Sequence, residues 1–402
     1  ISRETPTPVI SYEILRRKTA GAINFTASHN PPEYNGIKFS PQWGGPALPE
    51  TTKWIENRAN ELLGQITFKE SFSFDSLIKE NLVEIIDPST YYIEAIKEKI
   101  DFKSIANSQI KIIIDPMYGT ARGYIDRVLE EEGLKCKVIH DFRDPYFGGS
   151  APDPMESNLK EMISWLKEDK KLILGVATDG DGDRFGIVDR GGVFITPNLI
   201  LAIIYYYLIK HKGLMGGVGR SYATTHLLDR IARKYNQSVY ETPVGFKYLG
   251  ELIANEKIIL GGEESAGLSI CGHVPEKDGI LAGLLVVEIV SKRGLSVTEL
   301  IKEIFNEVGS LYSDRKNFLI TKEIRERFKD KLKNIPNNFA GLKVIDKKEI
   351  DGVKIYLEKD SWLLFRESGT EPVIRIYAEA ENKETLNKLM ESGKNFIFGE
   401  VE

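Results

Sequence analysis

Apolar and polar positions follow a regular order through the middle of the chain. Between residues 111 and 177, three short β-branched runs are separated by two patterns with helical spacing, the first of which stops at Gly133. The predicted strands are 111–115, 135–139 and 172–177, and the second predicted helix spans 159–167. This order predicts a β-α-β-α-β unit, and such units form parallel sheets.

The same alternation returns after residue 196 and then changes at about residue 312. The second α/β unit is predicted to contain helices at 198–210, 223–235 and 245–255, a glycine-rich turn after the first helix, and strands at 238–241 and 257–262. The last stretch is predicted to contain successive strands at 342–346, 353–358, 362–367 and 373–380, followed by a helix with Asn382 as its N-cap. It therefore reads as a small α+β domain with an antiparallel meander.

The first segment is less regular. It offers an extended lead-in, a serine-containing loop and one helix near residues 51–64, so it resembles the end of a domain whose beginning lies outside this sequence. A chain of 402 residues is also too long to fold around one compact core. The length predicts two to four domains, and the changes of pattern divide the chain at 1–88, 89–195, 196–311 and 312–402.

The composition mainly excludes some classes of protein and some kinds of site. A net charge of -5 argues against a general nucleic-acid binder, because the chain has no global positive field. Cys136 and Cys271 lack the spacing of a zinc site or a disulfide framework. The sequence has no long apolar stretch and no signal-peptide pattern, which predicts a cytoplasmic protein without a membrane partner.

The strongest chemical signal is the stretch ATDGDGDRFGIVD. Asp179, Asp181 and Asp183 alternate with glycines directly after an apolar strand, so in a near-extended loop their carboxylates would project to one side. Converging carboxylates repel one another, and a hard cation such as Mg²⁺ or Ca²⁺ relieves that repulsion. An EF-hand is excluded, because Arg184 and Arg190 occupy the positions that need Gly and Glu. A plain acidic turn remains an alternative.

Two further loops carry groups suited to a sugar phosphate. In FRESGTEPVIRIYAE, the side chains of Arg366, Ser368, Thr370 and Arg375 and the backbone at Gly369 suit a phosphate, although a hairpin with exposed charges is an equal alternative. In GGEESAGLSICGH, the carboxylates of Glu263 and Glu264 suit vicinal hydroxyls, with Ser265 assisting. From the residues alone, capping of a helix start by these acids is the better interpretation, and His273 is read as structural.

The stretch TASHNP raises the question of what Ser28 does. A serine that carries a phosphoryl group needs a cation and basic groups, because phosphoryl transfer depends on positioning and charge neutralisation. His29 and Lys38 are near enough in sequence to move the hydroxyl proton, although Lys38 needs a lowered pKa to act as a base.

At these residues the sequence resembles the α-D-phosphohexomutase superfamily, the phosphoglucomutases and phosphomannomutases. Four motifs occur in the family's order, TASHNP, DGDGDR, GEESAG and RESGTEP, and the resemblance covers nearly the whole chain. It implies an α/β fold in which three related mixed α/β domains and a C-terminal TBP-like (TATA-box-binding-protein-like) α+β domain surround a central cleft.

The resemblance also implies a mechanism and the residues that perform it. Phosphorylated Ser28 gives its phosphoryl group to a hexose phosphate, and the resulting hexose 1,6-bisphosphate, an intermediate and activator, returns the other phosphoryl group. Mg²⁺ would be held by Ser28, Asp179, Asp181 and Asp183, and His29 or Lys38 would be the general acid/base. The implied substrate-binding residues are Arg184, Lys247, Glu263, Ser265, Arg366, Ser368, Gly369, Thr370 and Arg375.

Two departures from the family pattern affect the substrate and the alternatives. A GTDGWRG-like segment and an arginine near the serine are not found in this sequence, so a non-catalytic sugar-phosphate binder stays open if that half domain is truly absent. GEESAG differs from GEQSGH of phosphoglucosamine mutases and GEMSGH of bifunctional enzymes, which favours glucose phosphate, then mannose phosphate. The expected partner is a hexose phosphate, the expected assembly is a monomer or homodimer, and an alkaline-phosphatase-like enzyme is disfavoured by the few histidines.

Overall fold

The computed structural model describes residues 1–65, 73–367 and 372–399. Its helices are α1 (Thr7–Arg17), α2 (Pro49–Leu62), α3 (Phe74–Lys79), α4 (Ser89–Lys97), α5 (Phe102–Ser108), α6 (Ile125–Glu131), α7 (Lys160–Glu168), α8 (Pro197–Lys210), α9 (Leu227–Lys234), α10 (Phe246–Ala254), α11 (Gly279–Arg293), α12 (Val297–Val308), α13 (Lys322–Lys333) and α14 (Lys383–Phe398). A 3₁₀ turn lies at Phe147–Gly149.

The strands follow the same order along the chain. They are β1 (Gly21–Phe25), β2 (Ile37–Pro41), β3 (Lys111–Asp115), β4 (Lys137–Val138), β5 (Leu172–Thr178), β6 (Phe185–Asp189), β7 (Val193–Ile195), β8 (Gly217–Ser221), β9 (Val239–Thr242), β10 (Ile258–Glu263), β11 (Gly267–Ile270), β12 (Tyr312–Leu319), β13 (Asn338–Phe339), β14 (Leu342–Glu349), β15 (Val353–Leu357), β16 (Trp362–Glu367) and β17 (Val373–Ala380). Among the described residues, none of the helices has the length and apolar character that crossing a membrane requires.

The chain divides into two compact units. The first contains residues 1–195, 250–256 and 266–296, and the second contains residues 196–249, 257–265 and 297–402. The first unit holds a five-stranded sheet in the order β4-β3-β5-β6-β7 and a two-stranded sheet, β1-β2. The parallel pairing of β4, β3 and β5 confirms the predicted β-α-β-α-β unit. An antiparallel strand, β6, was not predicted; it follows the aspartate loop and pairs with β5.

The prediction of an extended lead-in before the serine loop is wrong. Residues 7–17 form α1, which buries Val9, Ile10 and Ile14 at helical spacing. Pro8 lies in the first turn of this helix, where a missing N–H breaks no helical hydrogen bond. The proline-rich start therefore begins a helix and does not prevent one.

The second unit contains a parallel arrangement of β10, β8 and β9 and a separate C-terminal sheet. The prediction of a turn in the glycine-rich stretch is wrong, because residues 217–221 form the buried central strand β8. At Gly217 a Cβ would lie 2.9 Å from the Ser238 carbonyl oxygen, so only glycine fits there. Gly217 is therefore required by the close approach of the Ser238 backbone and not by a turn.

The C-terminal sheet has six strands in the order β12-β17-β16-β15-β14-β13. Its antiparallel pairing confirms the predicted meander, and β16 and β17 have the predicted limits. Strand β12 and helix α13 were not predicted. Helix α14 begins at its predicted N-cap, where the Asn382 side chain accepts a hydrogen bond from the Thr385 N–H.

Candidate active site

The aspartate loop joins β5 to β6 in the first unit, and it is a turn. The Gly182 N–H donates to the Asp179 carbonyl oxygen at 3.1 Å, and Gly182 has a φ of 72°, which favours glycine. The prediction of a near-extended loop is therefore wrong. The turn nevertheless brings the carboxylates of Asp179, Asp181 and Asp183 together, with one oxygen of each lying within 4.8 Å of the others.

These three carboxylates fit a divalent cation. All three are buried, and Asp179 Oδ1 already accepts the N–H groups of Asp183 (2.8 Å) and Arg184 (3.0 Å). The Oδ1 atoms of Asp181 and Asp183 are buried without a hydrogen-bond partner among the described residues. Buried polar atoms without partners are costly, and oxygen ligands of this kind suit Mg²⁺.

Two lysines lie against the triad. Lys38 Nζ, on β2, is 2.7 Å from Asp181 Oδ2 and 3.3 Å from Asp183 Oδ2, and Lys277 Nζ is 2.7 Å from Asp183 Oδ2. Burial would raise the pKa of Asp183, but the two ammonium groups hold it below its usual range. Burial, with repulsion from Asp183 and Asp181, raises the pKa of Asp179 well above its usual range. Two ammonium groups and the raised pKa of Asp179 thus offset the charge of the three carboxylates, whose ionised forms a dication would stabilise.

Ser28 faces this cluster from the loop that follows β1. Its Oγ is 3.5 Å from Asp179 Oδ2 and 3.2 Å from His29 Nδ1. Its backbone has a φ of 57°, an uncommon conformation for a residue other than glycine, and its N–H donates to Thr26 Oγ1 at 2.8 Å. Such backbone strain concentrates at functional sites. The serine loop is therefore built to present Ser28 to the aspartates.

The two proton-transfer candidates differ in their protonation. Burial, together with the positive charges of Arg184 and Lys277, lowers the pKa of His29 to about 4, so its ring is unprotonated at pH 7 but is a weaker base than an ordinary histidine. Burial alone would lower the pKa of Lys38, but Asp183 and Asp181 raise it above its ordinary value. The lowered pKa that a base at Lys38 requires is therefore not found, because its neighbours are carboxylates.

The first unit also contains contacts that sequence reasoning missed. Thr7 donates its side-chain hydroxyl to Asp181 Oδ2 at 2.9 Å, and its N–H binds the Asp181 carbonyl oxygen. Thr26 lies 3.2 Å from the same carboxylate oxygen. Lys277 follows the sugar loop in a PEKDG stretch, and no local pattern distinguishes it from an exposed lysine. Arg184, which the sequence did predict as a site residue, has its Nη1 4.0 Å from Asp153 Oδ1.

The sugar loop lies in the second unit and begins no helix of its own, but Glu263 accepts the N–H of Gly245, the residue directly before α10, as the capping interpretation expects. Glu263 ends β10, Glu264 and Ser265 occupy the following turn, and no helix begins there. Glu263 Oε1 accepts the Gly245 N–H at 2.8 Å, and Glu264 Oε2 accepts the Ser221 hydroxyl at 3.0 Å. A donor from the loop before α10 therefore orients Glu263, and a donor at the end of β8 orients Glu264.

Two arginines flank the phosphate loop. Arg366 on β16 and Arg375 on β17 are directly opposed in the antiparallel register. Burial would lower the pKa of Arg366, but the hydrogen bond from its Nε to Asp351 Oδ1 (2.9 Å) raises it. Ser368, Gly369 and Thr370 lie outside the described residues. Lys247 is half-buried on α10, with its Nζ 5.3 Å from the centre of the Tyr248 ring.

Family models match the chain in series. They describe phosphoglucomutase/phosphomannomutase alpha/beta/alpha domain I at residues 2–64, domain II at 90–192, domain III at 196–308 and the C-terminal domain at 316–392. Four domains in this order confirm the predicted fold class.

Individual relatives share about a third of their residues with the chain. A phosphoglucomutase of Komagataeibacter xylinus is 31% identical over 94% of this chain and 73% of its own length. A phosphoglucosamine/phosphogalactosamine mutase of Sulfurisphaera tokodaii is 31% identical over 98% and 84%. A crystal structure from Thermus thermophilus, assigned as a phosphomannomutase, has a TM-score of 0.83 and 32% identity over 98% and 82%. Given these matches and the family's four domains in order, the chain belongs to the α-D-phosphohexomutase superfamily and is an isomerase of the phosphoglucomutase/phosphomannomutase family.

Proposed function

We propose that this enzyme interconverts hexose 1-phosphates and hexose 6-phosphates through a phosphorylated Ser28 and a hexose 1,6-bisphosphate. The observation that carries the proposal is the position of Ser28, whose Oγ lies 3.5 Å from a buried triad of carboxylates. A serine that only forms a turn does not require three carboxylates beside its side chain. It is useful where a dication screens a phosphoryl group from them.

The residues of the first unit would move the phosphoryl group and the proton. In one direction the phosphorus–Oγ bond of phosphoserine breaks while the free hydroxyl of the hexose phosphate bonds to phosphorus; His29 takes the proton of that hydroxyl and returns it to the released Ser28 Oγ. In the return step Ser28 Oγ attacks the other phosphate of the bisphosphate and its bond to the sugar oxygen breaks; His29 Nδ1, 3.2 Å from Oγ, takes the serine proton and passes it to the released sugar oxygen. Mg²⁺ held by Asp179, Asp181 and Asp183 would supply charge neutralisation at the transferred phosphoryl group.

The residues of the second unit would recognise the substrate. Arg366 and Arg375 stand in directly opposed strand positions, so besides the Asp351 contact of Arg366 their two guanidinium groups offer several N–H donors to one anion. We assign the non-reacting phosphate to these arginines, with Ser368, Gly369 and Thr370 as further ligands. Glu263 and Ser265 would bind two sugar hydroxyls, and Lys247 and Arg184 would contact the substrate's phosphates.

The preferred sugar is proposed from the sugar loop. Relatives named for glucose and for glucosamine/galactosamine are equally identical to the chain, so overall identity does not select the sugar. The GEESAG motif favours glucose phosphate, with mannose phosphate second and glucosamine phosphate as the alternative. Initial rates with the 1-phosphates of the three sugars decide among them.

Replacing Ser28 tests the proposal directly. In Ser28→Ala, conversion of glucose 1-phosphate to glucose 6-phosphate should fall by at least about 10³-fold, because the covalent acceptor is gone. Ser157→Ala, which removes an exposed hydroxyl, is the matched control and should keep wild-type turnover. Full turnover in pure Ser28→Ala would contradict the proposal, and release of inorganic phosphate without isomerisation would indicate a phosphatase.

A further inference from the structure

One carboxylate in the second unit connects the phosphate loop to the sugar loop. Asp351 lies in the turn between β14 and β15, outside all four motifs. Its Oδ1 accepts the Arg366 Nε–H at 2.9 Å, and its Oδ2 accepts the N–H of Val244 at 3.1 Å. Arg366 belongs to the C-terminal sheet, and Val244 belongs to the loop between β9 and α10. Both oxygens of Asp351 are thus used, each by a different structural element.

The connection continues to the sugar loop through the next residue. The Gly245 N–H donates to Glu263 Oε1 at 2.8 Å. The two N–H groups lie in consecutive planar peptide units joined at the Val244 Cα, so fixing the first restricts where the second can lie. Asp351 therefore holds Arg366 directly and holds the backbone that orients Glu263.

The turn that carries Asp351 lies unusually close to β16. Gly352 has a φ of 93°, and a Cβ there would lie 2.3 Å from the Phe365 carbonyl oxygen and 3.1 Å from the Arg366 Cα. Only glycine fits in this space. The turn is consequently fixed against the strand that bears Arg366, and the Asp351 carboxylate reaches the guanidinium without a long, flexible side chain.

We infer that Asp351 is a positioning residue that sets the phosphate-binding Arg366 and the hydroxyl-binding Glu263 at a fixed spacing. The inference rests on the proposed function, in which these two side chains bind the same substrate molecule. In both orientations the hexose phosphate must present a phosphate to Arg366 and hydroxyls to Glu263. A shared carboxylate keeps the distance between these two protein groups constant.

Substitution of Asp351 tests this inference. The side-chain amide introduced by Asp351→Asn offers one acceptor oxygen where the carboxylate offers two, so in this variant the KM for glucose 1-phosphate should rise about tenfold while kcat changes by less than about twofold. The reason is that the arginine and the glutamate bind the ground state and the transition state alike. Asp351→Ala, which removes both acceptors, should raise KM further.

Controls separate this role from a structural one. Asp346→Asn removes the same charge from an exposed position on β14 and should leave KM unchanged. In an Arg366→Ala background, adding Asp351→Asn should raise KM by clearly less than tenfold, because one of its two partners is already gone.

Three results would overturn the inference. If the wild type is active and Asp351→Asn has the same KM as Asp346→Asn, the inference about Asp351 is wrong while the proposed function stands. The same holds if Asp351→Asn lowers thermal stability and kcat but leaves KM unchanged. A wild type that converts none of the three hexose 1-phosphates would remove the proposed function first, before any variant is compared.

Discussion

Lys354 is a buried lysine whose environment affects the stability of the second unit. Its side chain is 0% exposed, and its Nζ donates to the Tyr222 carbonyl oxygen (2.8 Å) and to His226 Nε2 (2.9 Å). The Trp362 ring centre lies 4.2 Å away. Burial, assisted by the positive charge of Arg220, lowers the pKa of Lys354 to about 7.

This pKa predicts a pH dependence of stability. Between pH 7 and 9 the unfolded chain keeps the proton on Lys354 and the folded chain releases it, so the free energy of unfolding gains a term that rises with pH. In Lys354→Met that term is absent. Relative to the variant, the wild type should gain up to about 1.4 kcal/mol per pH unit over this window.

Denaturant unfolding at pH 7, 8 and 9 measures the difference. Lys348→Met, at the exposed cross-strand partner of Lys354, should show no such trend. A constant gap between the wild type and Lys354→Met would contradict the prediction.

At the scale of elements, the close contact between the serine loop and the aspartate loop requires a glycine at position 180. At Gly180 a Cβ would lie 2.6 Å from the Ser28 carbonyl oxygen and 2.9 Å from Pro152 Cγ. Real Cβ atoms do not approach a carbonyl oxygen so closely, so a larger residue must push the loops apart. The distance from Ser28 Oγ to Asp179 depends on this contact.

Gly180→Ala should therefore reduce kcat/KM by about 10²-fold, because small displacements of reacting groups have large effects on rate. Steady-state kinetics with glucose 1-phosphate measures this. Gly133→Ala is the control: unlike Gly180, Gly133 has a positive φ, and no atom lies within 4 Å of a Cβ there. The control should lose stability and keep its activity. Wild-type kinetics in Gly180→Ala would show that the contact does not position Ser28.

At the scale of the whole molecule, the buried triad links metal binding to folding. Without a dication, only two ammonium groups and the raised pKa of Asp179 offset the charge of the three buried carboxylates. An ion that binds only the folded chain stabilises it, by about 2.7 kcal/mol at a concentration 100-fold above its Kd.

Chelation by EDTA should therefore abolish isomerase activity and lower the midpoint of thermal unfolding, and Mg²⁺ should restore both. Potassium chloride at equal ionic strength is the control, because it screens charge without binding between the carboxylates. Unchanged unfolding midpoints in EDTA and Mg²⁺ would contradict a metal role for Asp179, Asp181 and Asp183.

The fold was predictable wherever a local pattern sufficed. Strands β3, β16 and β17 have their predicted limits, because their apolar runs are bounded by turn residues. Helix α1 and strand β8 were missed, because prolines and glycines suggest turns when neighbouring elements are not considered. In both places the tertiary environment overrode local propensity.

The sequence by itself determined the chemistry of the site: a serine loop, three alternating aspartates, a pair of glutamates and an arginine-containing loop, in the family's order. Only the tertiary structure decided which groups surround them. Lys277 at Asp183, Thr7 at Asp181 and Asp351 at Arg366 are contacts between residues far apart or outside any motif. Local spacing carries the periodicity of a strand or a helix, whereas these contacts depend on how the completed elements pack.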